Sequence, residues 1–319
     1  MNIIEKTVRQ LDAYQRNHRR AGFVYAITKK YGEDEAGYQA ALMAYYGFLS
    51  LFPLLLVLTT LIRLTFHDDS SVHRSLVNGV TNYFPTIGND LTHNIHSMGG
   101  NGLALLLGLL VTLYGARGVA DTFRSTVNHV WETPYVRRPG FPWSLLRSVR
   151  MMVVGGIGLI LAPVISGYAA AAGRGPLFWL ASLTVTLLIL FGVFLFLLQA
   201  SLPSTHKLSE LWLAALLAAI GLQILQSLGS LLIARELKHL DVLYGTFAVV
   251  LGLLFWLYLQ AQVIVYALEA ATVRTFRLYP RSVILGQPLA ADSHAFHLYT
   301  ERNRFHDGLD EAPKRIVTG

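Results

Sequence analysis

Residues 177–200 read LFWLASLTVTLLILFGVFLFLLQA and contain no charged side chain. About 20 apolar residues in a helix, each rising 1.5 Å, cross a hydrocarbon core about 30 Å thick. A surface helix of a soluble protein carries polar residues along one face, whereas here apolar residues occupy every face. The stretch therefore predicts a transmembrane helix and, with it, a membrane protein.

Five further apolar runs are long enough to cross a bilayer, at residues 40–64, 102–121, 148–172, 209–232 and 246–271. The second of them is apolar only as far as Tyr114, so it spans if Arg117 and Asp121 lie at the inner membrane boundary. Charged residues make up 14% of the chain, where soluble domains have about a quarter, and the mean hydropathy is +0.46. We predict an all-α fold with a polytopic domain of six transmembrane helices over residues 40–271.

The basic residues predict the orientation of this domain. Seven Lys or Arg residues lie in segment 1–39 and seven in segment 272–319, whereas the loop 65–101 contains Arg74 alone. Lys and Arg are enriched in cytoplasmic loops, so both termini are predicted to be cytoplasmic (N-in/C-in). The net charge of +7 also suits contact with anionic lipid headgroups. We expect no nucleic-acid partner, because the basic residues are dispersed and form no recognition motif.

Three segments flank or interrupt the spans. Segment 1–39 has apolar residues at helical spacing, which predicts an amphipathic helix on the inner membrane surface or, equally, a solvated helix that packs on the loops. The outer loop 65–101 predicts two short amphipathic helices separated at Pro85. The tail 272–319 turns polar from Pro280 onward and is predicted to be cytoplasmic and partly flexible.

Polar residues inside the spans are the candidate functional residues, because each is costly in hydrocarbon unless it faces protein, water or a substrate. Arg117, Asp121 and Arg124 share one face of the second span, at spacing i, i+4, i+7. This face can bind an anionic substrate group or act in a charge-coupled gate. A structural ion pair, or arginines that reach the headgroups, is the simpler alternative.

The sixth span carries a second such face, formed by Tyr258, Gln262, Tyr266 and Glu269. Glu269 lies near the predicted cytoplasmic end, where Arg274 or the basic second loop can neutralise it in a salt bridge. Without a cation, burial favours its protonated form, and the residue could then carry a proton.

Two weaker signals lie in other spans. Gln223, Gln226 and Ser230 share a face of the fifth span, where either helix packing or a polar pathway explains them. Pro53, three residues after Ser50, removes a backbone hydrogen bond inside the first span and is expected to kink the helix beside the substrate surface.

No catalytic motif or cofactor site is found in the sequence. The chain has no cysteine, no phosphate-binding Gly-x-x-x-x-Gly-Lys loop and no Gly-x-Ser-x-Gly element, so we expect neither an enzyme nor a bound cofactor. His93 and His96 are three residues apart in the outer loop, but they lack a complete ligand set, and a solvated loop is the default interpretation.

Two stretches resemble the YihY/BrkB family of bacterial inner-membrane proteins. The first is YYGFLSLFPLL at 45–55, and the second combines YGTF at 244–247 with FWLYL at 255–259 and the acid Glu269. Family members tend to end the last span with a Gly-Ala-Glu-Leu-Asn-Ala-like sequence, whereas this chain reads ALEAA at 267–271. The acid is retained, but the neighbouring glycine and asparagine are not, so any role of that asparagine is not carried over.

The resemblance implies a six-span inner-membrane protein. Members are labelled as transporters or virulence factors, one branch is tied to lipopolysaccharide precursor export, and an older label is ribonuclease BN. We expect a transporter or exporter whose partners are membrane lipids and an amphipathic, lipid-linked or small anionic substrate. A non-transporting membrane scaffold, partnered by a second copy or another membrane protein, is the alternative, and a membrane-bound enzyme is third. The ribonuclease label is disfavoured, because the histidine-rich loop is predicted to face outward.

Overall fold

A computed structural model describes residues 3–65, 102–172, 175–203, 206–244, 247–284 and 288–304 of the chain. Across these ranges the structure is helical, with nine α-helices, a single 3-10 turn at Tyr135–Arg137 and no strand. The helices are α1 (Ile3–Asn17), α2 (Arg19–Glu33), α3 (Ala36–Thr65), α4 (Gly102–Val130), α5 (Trp143–Ala172), α6 (Pro176–Ser201), α7 (Leu208–Tyr244), α8 (Phe247–Thr275) and α9 (Ala290–Arg302).

The six apolar runs of the sequence lie in the six long helices α3 to α8, essentially one run to a helix. Among the described residues, three segments are long and apolar enough to cross a membrane: Leu177–Ser201 of α6, Leu208–Gly229 of α7 and Val250–Thr275 of α8. The predicted all-α class is therefore confirmed for the described part of the chain. The count of six spans and the N-in/C-in orientation stay predictions.

Helices α3 to α8 form a closed bundle. Each helix packs against the next in sequence, and α8 packs against α3, so the six helices form a closed ring of contacts. The core between them is formed by large apolar side chains that are almost fully buried, such as Trp131, Leu198, Leu211 and Val265. Between helices in lipid, close packing of this kind replaces the hydrophobic effect as the source of association.

Glycines let neighbouring helices approach closely in this bundle. A Cβ added at Gly115 of α4 would lie 2.6 Å from the Cβ of Ser50 on α3 and 2.9 Å from its backbone. The ring of Tyr46 covers Gly118 one turn further along α4 in the same way. The predicted site residue Ser50 is thus buried in a contact between two helices, and its Oγ donates a hydrogen bond to Gly47 O at 3.0 Å.

We predict that Gly115→Ala destabilises the protein, because the new methyl group would meet the backbone of α3, which cannot move like a side-chain tip. Overpacking of this kind costs roughly 1–3 kcal/mol. Gly155→Ala in α5 is the matched control, since its Cβ would meet no atom within 4 Å. Thermal unfolding in detergent should separate the two variants, and equal melting temperatures would show that α3 and α4 are not closely packed at Gly115.

Helices α1, α2 and α9 lie at one end of the bundle, which we call the charged end. Helix α1 packs on α2, and α2 packs on α3 and α8. The predicted amphipathic helix is present as α1, and its polar residues Asp12 and Gln15 are buried while Leu11 and Tyr14 are exposed. The rest of the protein thus leaves Leu11 and Tyr14 exposed, as an interfacial helix requires, and the position of α1 on a membrane stays a prediction.

The described part of the C-terminal segment docks against the N-terminal helices. Leu278 and Ala295 are fully buried in a small apolar core with Ala26 of α2 and Val273 of α8. The polar tail of the sequence thus contains a helix, α9, that its composition did not predict. The two predicted helices of the outer loop, together with His93 and His96, lie outside the described residues.

Candidate functional site

The side chain of Lys30 on α2 is fully buried at the charged end. Its Nζ lies 2.9 Å from Glu132 Oε1 and 3.3 Å from Glu269 Oε2, and it also pairs with Asp34. It donates a further hydrogen bond to the backbone oxygen of Val130 at 3.0 Å. A buried cation is tolerated only when paired charges and hydrogen bonds offset its lost hydration, and this ammonium has both.

Arg302 on α9 adds a second cation to the same group. Its Nη1 lies 2.7 Å from Asp34 Oδ1 and 3.1 Å from Glu132 Oε2. We call the group the ionic cluster, and its members are Lys30, Asp34, Glu132, Glu269 and Arg302. With every member ionised, two cations face three carboxylates, a net charge of −1. One bound proton makes the cluster neutral.

Two carboxyl groups of the cluster, Glu132 and Asp34, lie outside the predicted spans, and their surroundings decide which of them can bind that proton. Burial raises the pKa of Glu132 to about 7, although the nearby cation Lys30 opposes the rise. Burial acts on Asp34 in the same direction, but the Lys30 ammonium outweighs it and lowers the pKa of Asp34 below its ordinary value. Glu132 is therefore a carboxylate that can hold a proton near neutral pH, while Asp34 stays ionised.

His129 does not add a positive charge to the cluster. Its Nε2 lies 3.7 Å from Asp34 Oδ1, but burial, reinforced by Arg302, lowers the pKa of His129 to about 4. The imidazole is therefore neutral at physiological pH.

The polar face predicted on the last span contacts α2. Gln262 donates to the hydroxyl of Tyr258, and its Oε1 accepts a hydrogen bond from Tyr31 at 2.6 Å. The ring of Tyr31 stacks on that of Tyr266, with centroids 4.3 Å apart. Consecutive residues of α2, Lys30 and Tyr31, thus contact the face formed by Tyr258, Gln262, Tyr266 and Glu269.

The cation beside Glu269 is not the one that the sequence suggested. The expected partner was either Arg274 or the basic loop after the second span. The Arg274 guanidinium instead lies over the ring of Trp212, 5.9 Å from the centroid. Lys30 takes this place because α2 runs beside α8 at the charged end. The loop after α4 contributes an acid, Glu132, rather than a base.

The polar face predicted on α4 belongs to a different contact group. Arg117 Nε lies 3.4 Å from Asp121 Oδ2, and Arg124 Nη2 lies 3.2 Å from Asp121 Oδ1. Asp121 also accepts a hydrogen bond from Ser148 of α5, and the Arg117 side chain is 59% exposed. Within the described residues this face therefore contacts α5, whereas the face on α8 contacts α2.

The remaining predicted residues lie in helices of the bundle. Pro53 lies within the continuous helix α3, and Ser230 lies in α7. Gln223 and Gln226 are partly buried in α7, and among the described residues Gln226 Nε2 has no hydrogen-bond partner. Their helix is tightly packed nearby, since Ala215 and Ala219 are fully buried.

A second ionic group joins the C-terminal segment to α2. The buried guanidinium of Arg281 donates from Nε to Asp292 Oδ1 at 2.6 Å and from Nη2 to Glu33 Oε2 at 2.9 Å. Tyr299 donates to the same Glu33 oxygen at 2.6 Å. Burial opposes the ionisation of Asp292, but hydrogen bonds from the Ser282 N–H and from Arg281 lower its pKa to about 2. Asp292 therefore stays ionised well below neutral pH, and its ion pair with Arg281 helps to hold α9 in place.

The sequence indicated Glu269 but none of its four companions in the cluster. Lys30 and Asp34 stand at i, i+4 spacing, which favours a salt bridge within a helix, and this was the available local signal. Glu132 and Arg302 lie about 100 and 270 residues further along the chain than Lys30, in segments with no periodic pattern. Only the packing of the helices brings them together.

Comparison with known proteins agrees with this architecture. A helical chain with apolar spans and a buried ionic cluster at one end of the bundle is a helical membrane protein. A family model described as "Virulence factor BrkB" matches residues 27–287, and the chain belongs to this family. It is 24% identical over 253 residues to a UPF0761 membrane protein of Alteromonas mediterranea, covering 76% of this chain and 83% of that protein. No solved structure matches the chain.

We predict that Lys30→Met destabilises the protein far more than Glu269→Gln. Loss of Lys30 leaves three buried carboxylates with one cation, and breaking a buried pair in this way costs roughly 3–5 kcal/mol. Glu269→Gln leaves two carboxylates with two cations, a balanced group. Melting temperatures in detergent compare the two variants directly, and a Lys30→Met protein as stable as the parent would contradict the buried pairing.

We predict that Glu132 makes stability depend on pH in one direction. Its pKa is raised from 4.5 to about 7 in the folded protein, so the folded state binds more protons than the unfolded state between these values. The contribution of Glu132 to the free energy of unfolding is therefore fully present below about pH 4.5 and is lost as the pH rises to about 7. The free energy of unfolding of the parent relative to Glu132→Gln should fall by roughly 1–3 kcal/mol over this interval. A difference that rises with pH would contradict this assignment.

Proposed function

We propose that this membrane protein transports an amphipathic anionic substrate, such as a lipid or a lipid-linked molecule, across a bacterial inner membrane. Both termini lie on the cytoplasmic side, so the charged end is the cytoplasmic end. The proposal rests chiefly on one observation, which is the fully buried Glu269 inside the candidate span Val250–Thr275. An ionisable residue within a span is costly, and such residues commonly belong to a substrate or proton pathway.

The partner of Glu269 supports a role in gating. Lys30 lies on α2, outside the spans, and the ionic cluster connects α2, the segment after α4, the end of α8 and α9. A gate requires a contact that has two alternative states. In this proposal the cluster is closed when Lys30 holds Glu269 and Glu132 and one bound proton balances its charge, whereas loss of that proton leaves a net charge of −1 that favours the open state.

Two polar surfaces suit an amphipathic substrate. The hydroxyls and amide of Tyr31, Tyr258 and Gln262 form a connected hydrogen-bonded group beside the cluster. The exposed Arg117 lies on α4, where the apolar part of the helix gives way to charge, and arginine at a membrane boundary can hold an anionic headgroup. The resemblance to a family with a branch tied to lipopolysaccharide precursor export also favours an amphipathic substrate.

Reconstitution tests the proposal. We expect purified protein in vesicles to move a fluorescent anionic phospholipid between leaflets, measured by the fraction that a membrane-impermeant reductant can bleach. Glu269→Gln should lower the rate by about tenfold or more, equivalent to a barrier higher by about 1.4 kcal/mol. Glu301→Gln is the matched control, because Glu301 lies on α9 at the same end and is 44% exposed, outside the cluster.

The abundance of each variant distinguishes transport from a scaffold role. A Glu269→Gln protein that reaches the membrane in normal amount but moves no substrate supports transport. The same comparison for Arg117→Gln tests the face on α4. Parent protein that catalyses no movement above empty vesicles contradicts the proposal and favours the non-transporting scaffold.

A further inference from the structure

A cleft opens at the charged end, apart from the ionic cluster. It lies between the start of α2, the first turns of α7 and the end of α8, and it has a volume of about 750 Å³. Its walls include Arg19, Glu210, Trp212, Arg274, Arg277 and Tyr279. Among the described residues, three guanidinium groups and a single carboxylate thus line this cavity.

The three arginines of the cleft differ from the buried cations of the protein. Arg19, Arg274 and Arg277 are exposed, and within the described residues no carboxylate lies within 4.0 Å of any of them. Lys30 and Arg281, in contrast, are fully buried and paired with carboxylates. The described part of the chain therefore leaves the positive charge of the cleft without a carboxylate partner.

Aromatic side chains hold two of these arginines in place. Arg19 Nη2 donates to the hydroxyl of Tyr279 at 3.0 Å, and Arg274 lies over the ring of Trp212. A guanidinium held in this way keeps further N–H groups for an anion, and less side-chain entropy is lost when the anion binds.

The backbone places Arg277 beyond the end of α8. Its φ is +54°, and the next residue, Leu278, donates from its N–H to Val273 O at 2.9 Å. These features define a helix-ending motif whose left-handed position usually holds glycine, because other residues are strained there. The chain instead has an arginine at this position, on the wall of the cleft.

The single acid of the cleft does not neutralise the arginines. Glu210 Oε2 lies 3.3 Å from Nδ1 of His206, on the same turn of the chain. Glu210 also belongs to the first turn of α7, where unpaired backbone N–H groups carry partial positive charge. Three cations and one anion leave an excess of +2 in the cleft.

The position of the cleft indicates the source of its ligand. The candidate span Leu208–Gly229 begins at the cleft, and the span Val250–Thr275 ends there. Both boundaries lie where the hydrocarbon core of a membrane gives way to headgroups, and Trp212 is a residue type favoured at that depth. Guanidinium groups match phosphate oxygens with paired N–H donors.

We propose that this cleft binds the phosphate group of a membrane lipid, through Arg19, Arg274 and Arg277. A phosphate-bearing lipid is thus the ligand, and its headgroup lies in the cleft. Any role of this site in transport rests on the proposed function. Binding itself is measured without transport. A protein that binds at the cleft but moves no lipid would therefore remove the transport proposal and leave this site standing.

A titration of the purified full chain in nonionic detergent tests the site. The probes are dioctanoyl phosphatidic acid, dioctanoylglycerol, which has the same chains without phosphate, and inorganic phosphate. We expect the phosphatidic acid to bind more tightly than either of the others. Arg274→Gln with Arg277→Gln should weaken that binding by about tenfold or more, as expected for lost charged hydrogen bonds.

Two further variants keep the test independent of folding and of overall charge. Arg137→Gln with Arg150→Gln removes the same charge from exposed arginines outside the cleft and should change affinity by less than about twofold. Arg277→Gly suits the positive φ of its position, so it should keep the fold while still weakening binding about threefold or more.

Three results would overturn the assignment. If Arg137→Gln with Arg150→Gln weakened the binding of phosphatidic acid equally, overall charge alone would explain the effect. Inorganic phosphate binding as tightly as phosphatidic acid would assign the cleft to a soluble phosphate compound. Dioctanoylglycerol binding as tightly as phosphatidic acid would show that acyl chains, not the phosphate, are recognised.

Discussion

The ammonium of Lys30 is the interaction on which the charged end depends. A lysine with no solvent contact requires carboxylates around it, and this one receives them from the residue directly after its own helix, from the segment after α4 and from α8. These partners fix the rotation and height of α2 against the bundle. Arg302 then pairs with two of the same carboxylates, so the ionic cluster, together with the ion pairs of Arg281, holds α9 in place.

The rest of the bundle is held by a different kind of interaction. Helices α3 and α4 meet where Gly115 and Gly118 allow Ser50 and Tyr46 to lie against the backbone, a contact made by shape rather than charge. The protein thus combines apolar helices packed through small residues with a polar end held by ion pairs. Charged contacts can respond to protons and anionic ligands, so the proposed gate and the lipid cleft both lie at that end.

The sequence predicted the parts of this structure that are set by local composition. Apolar runs such as 177–200 predict long helices because every face of such a helix must avoid water, and α3 to α8 follow from them. The periodic face from Tyr258 to Glu269 was likewise visible, because helical spacing places these residues together. The partners of Glu269 could not be predicted in this way. Lys30 was interpreted as a charge that sets the membrane orientation, and Arg302 as part of a polar tail. Pairings across about 270 residues depend on how helices pack, and no local pattern encodes them.

The contact between α1 and residues 281–283 joins residues that are synthesised early to residues that are synthesised late. Gln15 Nε2 donates to Arg281 O at 2.6 Å, and Val283 N donates to Asp12 Oδ1 at 2.9 Å, so groups from the beginning of the polypeptide are satisfied by groups near its end. Asp12 and Lys30 leave the ribosome while helices α3 to α8 are still being translated, so some of their final partners do not yet exist. The charged end can therefore assemble only after residues 281–283 have been synthesised, and a message truncated before codon 281 would yield helices whose charged end is never completed.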